Sequence, residues 1–429
     1  MSTASDPVVR SSTGLRGLVL RCHFYAGLLV GPFILVAAVT GVLYALTPQL
    51  ESWLYHGALA VPVTARALPL AEQVRAARGV NPLGALVAVR PAAEPGSTTR
   101  VLFTGPGLRA GERRAVFVNP ASAQVTGELT VYGPHGVLPL RAALARLHRD
   151  LFLGEPGRLY SRLAASWLWV VALGGAVLWL TRWRGRRGRL GSSGWHGVVG
   201  MWVLAGALVL SATALAWSAG TSAPRAPSGW MTQAFGAGGG SAVGPDVTRV
   251  DAVLTAARAA GIDAKAVEIE LPKGAGAPWR VGDGSDAVAI DGATGAVVER
   301  SRFADRPFVA KLARWGVEAH TGALFGWPNQ LLLLAVGLGL VALVVLGYRM
   351  WWKRRPVRGS ASSFGKPVAR GQWRKVATPA VVALLVVAGL VGWAVPLLGV
   401  SLLGFLVVDG LLGLRARRGP TGALNRGRP

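Results

Sequence analysis

Two kinds of pattern alternate along this chain. Long apolar stretches without charges run from about Leu18 to Leu46, Leu163 to Leu180, His196 to Trp217 and Leu331 to Tyr348. Two more, about Val376–Val395 and Leu397–Leu414, meet at Pro396 with no charge between them and read as a tight hairpin. At about 1.5 Å per residue, a run of about 20 residues matches a hydrocarbon core of roughly 30 Å, so each stretch predicts a membrane-spanning helix. The first is longer than a signal-peptide core and lacks an A-x-A cleavage site, so it reads as a retained helix. The stretches between have shorter periods. LAEQVRAAR (70–78) predicts a helix, and LVAVRPA (86–92), TRVLFTG (99–105) and RRAVFVNPASAQVTGEL (113–129) predict strands, with a turn at Asn119-Pro120. Further on, VDAVLTAARAAG (250–261) predicts a helix, and AVEIELP (266–272), APWRVG (277–282) and DAVAIDGATGAVVER (286–300) predict strands.

The order repeats, and so do particular residues. His148, Gly154, Pro156 and Leu159 return 172 positions later as His320, Gly326, Pro328 and Leu331, and Asn119 returns as Asp291. His23, Gly27 and Thr40 return 173 positions later as His196, Gly200 and Thr213. The expected architecture is therefore a polytopic α-helical membrane protein of about six spans, with two small α+β extracytoplasmic domains, built as an internal tandem repeat. A Gly/Pro break follows each of His148 and His320, which predicts that each sits on a short surface helix ahead of its span.

Charge orients this picture. The formal net charge is +26, but 22 of the 46 Lys and Arg fall in residues 1–21, 181–195, 349–375 and 415–429, which together hold one acid, Asp6. Cations flanking apolar runs mark the cytoplasmic side, and all four clusters agree on both termini inside and both soluble segments outside. A nucleic-acid binder would gather its cations on one folded face, so nucleic acid is not an expected partner; the bilayer is. The expected boundaries are a tail at 1–15, spans at 16–48, 141–183 (with a surface helix), 196–217 and 311–352 (with a surface helix), and a hairpin at 376–414. The first soluble domain occupies 49–140, and a linker with the second occupies 218–310. Basic cytoplasmic loops occupy 184–195 and 353–375, and a basic tail 415–429.

Candidate chemistry rests on histidine. Of six histidines, His23 and His196 begin spans at the inner face, while His148 and His320 precede spans at the outer face. Equivalent positions meet when two copies pack about a pseudo-twofold axis, giving one pair near each face. Two imidazoles from different elements in apolar surroundings suit bis-histidine ligation of a b-type haem, and two such haems would form a transmembrane electron path. A proton or metal pathway, or amphipathic interface histidines, would also place imidazoles there. The single cysteine, Cys22, excludes CxxCH, so any haem is non-covalent. His56 and His135 have no repeat partner; His56 follows span one at the outer face, where a substrate could reach it. Asp409 lies in an apolar run within about 9 Å of Arg415 along a helix, and a pair with that cation is expected. Tryptophans at span ends, such as Trp167, Trp183, Trp327 and Trp351, read as aromatic belts. No nucleophile-elbow, zincin, P-loop or dinucleotide motif appears in context.

LHRDLFLGEPG with its following span, EAHTGALFGWP, the histidines leading spans one and three, and the paired NPASAQVTGEL and IDGATGAVVER hairpins resemble the PepSY-associated transmembrane family. The resemblance covers about 15–414. It implies a bacterial inner-membrane protein with two PepSY-like periplasmic domains. Some members are haem-containing ferric-siderophore reductases, which carries haem ligation to His23, His148, His196 and His320 and implies a ferric-siderophore-like substrate. Members with a fused flavin reductase domain exist; none is expected here, which leaves the donor, cytoplasmic or quinol, open. The second copy reads HTG where the first reads HRD, so only the histidine carries over. A different class stays open: a non-enzymatic membrane protein whose PepSY domains bind or regulate an envelope peptidase or other partner.

Overall fold

The computed structural model describes residues 7–64, 66–133, 136–183, 192–222, 246–274, 276–353 and 376–418. The expected cytoplasmic loops at 184–191 and 354–375, the linker at 223–245, the ends of both tails and His135 lie outside the described residues. In chain order the helices and strands are α1 (Pro7–Ala45), α2 (Thr47–Leu54), α3 (His56–Leu59), α4 (Leu70–Val80), β1 (Ala85–Arg90), β2 (Thr99–Thr104), β3 (Glu112–Val118), β4 (Val125–Tyr132), α5 (Pro139–Asp150), α6 (Glu155–Trp183) and α7 (Ser192–Ser222). They continue with α8 (Val250–Ala259), β5 (Glu268–Glu270), β6 (Trp279–Gly282), β7 (Ala287–Ile290), β8 (Val297–Ser301), α9 (Phe308–Thr321), α10 (Trp327–Lys353), α11 (Thr378–Ala394) and α12 (Pro396–Arg418). Two compact units result. One comprises Met1–Ala45, Arg146–Ser222 and Val317–Pro429, the other Leu46–Ala145 and Ala223–Gly316.

The first unit is helical, and it makes the chain a membrane protein. Four helical segments are long and apolar enough to cross a bilayer: Gly14–Ala45, Glu155–Thr181, Ser192–Trp217 and Trp327–Lys353. Where six spans were expected, the last two helices are shorter in their apolar parts, Thr378–Ala394 and Pro396–Leu412. Pro396 cannot continue α11, so it divides one apolar run into two pieces of about 25 Å each at 1.5 Å per residue. The four long helices pack in the cycle α1–α6–α7–α10. Ala26, Val30, Ile34 and Ala38, four residues apart, form the buried stripe of α1. Glycines let the backbones approach: a Cβ on Gly337 would strike Val42, and one on Gly206 would strike Val336. Outside the cycle, α12 lies along α6, where the Trp167 indole donates to Ser401 Oγ at 2.9 Å.

The second unit holds an antiparallel sheet in the order β4-β3-β2-β1-β5-β6-β7-β8. Each soluble segment supplies four strands. The two sets were expected to fold separately; instead β1 pairs with β5, Ala88 opposite Glu270 and Val89 opposite Ile269. Alone, each set would leave its first strand as an open edge, and joining them removes both edges. α4 and α8 cover one face over a shared core that includes Val74, Val89, Phe103, Val253, Ile269 and Ile290. Asp251 at the start of α8 accepts the Leu70 and Ala71 amides at 2.7 and 3.0 Å, capping α4, which has no cap of its own. The hairpin turns use short acceptor side chains at the equivalent positions: Asn119 takes the Ala121 amide and Asp291 the Ala293 amide.

Candidate functional site

The segment between α5 and α6 explains how His148 is positioned. Asp150 ends α5, and Leu151, Phe152 and Gly154 all take positive φ. Two non-glycine residues in that region are costly, and the buried Asp150 carboxylate offsets this by accepting the Phe152 amide at 3.1 Å. The chain turns back so tightly that the Asp150 carbonyl occupies the space a Cβ on Gly157 would need. At the matching place between α9 and α10, Gly322 and Gly326 take positive φ, and Asn329 Nδ2 donates to the Ala319 carbonyl at 3.1 Å. Different chemistry makes the same reversal, and each reversal follows a helix whose last turn carries a histidine.

The ring centroids of His148 and His320 lie 6.2 Å apart, inclined at 65°. Each ring meets a threonine on a spanning helix. Thr40 Oγ1 is 2.9 Å from His148 Nδ1 and donates to the Val36 carbonyl at 2.8 Å. Thr213 Oγ1 is 2.7 Å from His320 Nδ1 and donates to the Val209 carbonyl at 2.9 Å. A hydroxyl has one proton. With that proton on the backbone, the hydroxyl accepts from the ring, so Nδ1 carries hydrogen and the neutral imidazole keeps its lone pair on Nε2. Gly41 makes room for the His148 ring, with a would-be Cβ 3.5 Å from Cε1.

His23 and His196 form the second pair, 6.3 Å between centroids and inclined at 80°. His23 Nδ1 lies 2.9 Å from the Val171 carbonyl, a group that only accepts, so this ring too keeps its lone pair on Nε2. His196 Nδ1 is buried beside the Leu343 backbone, the place equivalent to Val171, with no short hydrogen bond among the described residues. Glycines again seat the rings: a Cβ on Gly175 would come 3.1 Å from His23 Cε1, and one on Gly347 would come 3.7 Å from His196 Cε1. Both histidines line a cavity of the helical unit whose other walls include Gly27, Gly200, Ala172 and Leu343. Gly27 opens onto empty space, with nothing within 4 Å of a would-be Cβ. Thr40 lies 17 residues beyond His23 on α1, about 25 Å along the helix, so the pairs occupy opposite ends of the bundle.

The spacing suits one metal between each pair. Metal–imidazole bonds are about 2.0–2.1 Å, and the ring centre lies about 1.2 Å behind the nitrogen, so two trans imidazoles put their centroids about 6.3 Å apart. Both pairs meet that separation with different helices supplying the two rings. The threonine roles were not read from the sequence, although Thr40 and Thr213 stand out there as a matched pair; Val171 acts through its backbone, which leaves no side-chain signal. His56 is exposed on α3. Asp409 forms an ion pair with Arg21 of α1; the expected partner, Arg415, lies outside the residues whose side chains are described. Arg21 is 7% exposed and lies over the Tyr25 ring, so the pair ties α12 to the first span two residues before His23.

No curated protein matches the chain. The family model described as the PepSY-associated TM region matches residues 20–354, a stretch that contains all four paired histidines, both reversals and the whole sheet, and the chain belongs to that family.

Proposed function

We propose that this protein carries electrons across the bacterial inner membrane on two b-type haems and reduces a ferric chelate of the siderophore class outside. His148 with His320 hold one haem, and His23 with His196 hold the other. A haem so ligated supplies reversible one-electron transfer. The reading rests on one observation: both pairs stand at the centroid separation of a bis-imidazole metal, 6.2 and 6.3 Å, and three of the four rings have Nδ1 committed as a donor. Thr40, Thr213 and the Val171 carbonyl orient the rings and keep Nε2 unprotonated. Gly27, on the wall of the cavity that His23 and His196 line, leaves open space there for a flat macrocycle.

The rest of the proposal follows the charge pattern. Both termini and the cationic loops face the cytoplasm. α11 and α12 complete six spans as a hairpin, and the two soluble segments are PepSY-like domains of a tandem repeat outside. His23 and His196 then face a cytoplasmic or quinol donor, and His148 and His320 face the acceptor. Reduction outside weakens the chelate's hold on iron, because such ligands grip Fe(III) far more tightly than Fe(II). The test is the absorption and electron paramagnetic resonance spectrum of the purified full chain. Two low-spin bis-imidazole haems per chain are expected; a haem-free protein refolded or expressed with excess haem would overturn the reading.

A further inference from the structure

The sheet face opposite α4 and α8 carries an arginine, Arg100, that no carboxylate meets within hydrogen-bond distance among the described residues. Alternation along the strands puts Arg90, Arg100 and Arg113 on this face beside Ala88, Leu102, Ala115 and Phe117. Arg90 and Arg100 stand directly opposite each other across β1 and β2. Like charges so placed repel, and the repulsion grows as they leave water. Arg90 finds relief in Glu268, whose carboxylate takes its Nε at 2.8 Å and also reaches Arg113 at 3.5 Å. Arg141, from the first turn of α5, pairs with Glu51 of α2 at 2.6 Å. Both carboxylates are largely buried, Glu51 5% and Glu268 16% exposed in the side chain; Glu51 gives one oxygen to Arg141 and leaves Oε1 without a hydrogen bond among the described residues. Glu270 shares the face but sits opposite Ala88, two residues along β1 from Arg90.

Arg100 is left over. It lies over the Phe117 ring at 5.5 Å, half-buried, and among the described residues its guanidinium meets no hydrogen-bond acceptor. Burial pushes its pKa down, and Arg90 and Arg141 push it further, against the single opposing charge of Glu51. Arginines outnumber carboxylates around Arg90 and Arg100, and the Arg100 fork is open. We propose that Arg100, with Arg90 and Arg141 at its sides, binds an oxyanion of the phosphate or carboxylate class. A guanidinium offers two parallel donors to such a group, and the flanking cations favour it further. The inference does not depend on the histidine pairs. The oxyanion is either a soluble anion, such as a carboxylate-bearing chelate, or the headgroup of a lipid.

The full-length protein distinguishes these. Calorimetry in detergent with inorganic phosphate and with citrate tests a soluble ligand. Native mass spectrometry of protein from zwitterionic and phosphatidylglycerol nanodiscs tests a headgroup. For the wild type we expect saturable binding of one of these probes. Arg100→Gln should weaken it roughly tenfold or more, the scale of a lost charge-assisted pair. Arg114→Gln, on the other side of β3 and paired with Glu128, should leave it unchanged. Loss of citrate or phosphate binding identifies a soluble ligand, and loss of retained phosphatidylglycerol alone identifies a headgroup. If Arg100→Gln is not recovered folded, Arg100→Lys serves: it keeps the charge and loses the fork, and weakened binding supports the site. Equal binding by wild type and variant, or no binding of any probe by the wild type, overturns it.

Discussion

The two histidine pairs share a spacing and differ in how their rings are held. His148 and His320 lean on threonine hydroxyls that are themselves anchored to helix carbonyls. His23 leans on the Val171 backbone carbonyl, and His196 Nδ1 lies beside the equivalent Leu343 backbone with no short hydrogen bond among the described residues. One pair is thus oriented symmetrically by side chains, the other by backbone groups and helix packing. Point mutation can therefore remove the hydrogen-bonding supports of the His148–His320 pair directly, whereas the His23–His196 pair is disturbed through the helices packed around it.

The largest effect should come from the four histidines proposed to hold haem. His148→Ala is expected to halve the haem content and leave the His23–His196 centre with an unchanged low-spin spectrum; retention of both bis-imidazole signals would refute the pairing. Next in size is the ion pair that ties the far end of the chain to the His23 helix. Asp409→Ala removes the carboxylate that pairs with the nearly buried Arg21, and loss of one member of a buried pair costs about 3–5 kcal/mol, an upper figure because Asp409 is itself 28% exposed and Arg21 keeps its contact with the Tyr25 ring. Thermal unfolding should shift down, and the His23–His196 signal should broaden before the other.

Smaller effects separate the supports themselves. Thr40→Val or Thr213→Val keeps the shape of the side chain and removes the ring's acceptor. About a 10–100-fold loss of haem affinity at the His148–His320 centre is expected, with a shifted reduction potential at that centre alone. A potentiometric titration in which both centres move equally would remove the distinction between the pairs. The smallest effects belong to the glycine seats. Gly175→Ala brings a methyl to 3.1 Å of His23 and should perturb that ligand, whereas Gly347→Ala, at 3.7 Å from His196, is in ordinary contact and should be silent. Paired spectra of the two variants measure how much freedom each ring has.

Much of the local structure was legible in the sequence. The strands of both soluble segments, the turns at Asn119 and Asp291, and the breaks after His148 and His320 all follow from periodicity and from the conformational needs of short acceptors and glycine. The four long helices were equally legible, because an uncharged apolar run of bilayer length has few other fates. The two runs that meet at Pro396 were legible as two helices, but their apolar parts, Thr378–Ala394 and Pro396–Leu412, are shorter than the four long helices. Asp409 shows a second limit: Arg21, which pairs with it, arrives from 388 residues away, and no local pattern signals that contact.

What the sequence determined by itself is what nearest neighbours enforce: which stretches are helix or strand, where the backbone must reverse, and which histidines occupy matching places 172 or 173 residues apart. Only the tertiary structure decided that the histidines approach to 6.2 and 6.3 Å, that threonine hydroxyls hold one pair and a carbonyl the other, and that β1 and β5 merge two sheets into one. Those outcomes depend on contacts between segments more than a hundred residues apart. Such contacts are selected by shape, by the pairing of open strand edges and by the cost of leaving a buried polar group alone, none of which leaves a periodic trace along the chain.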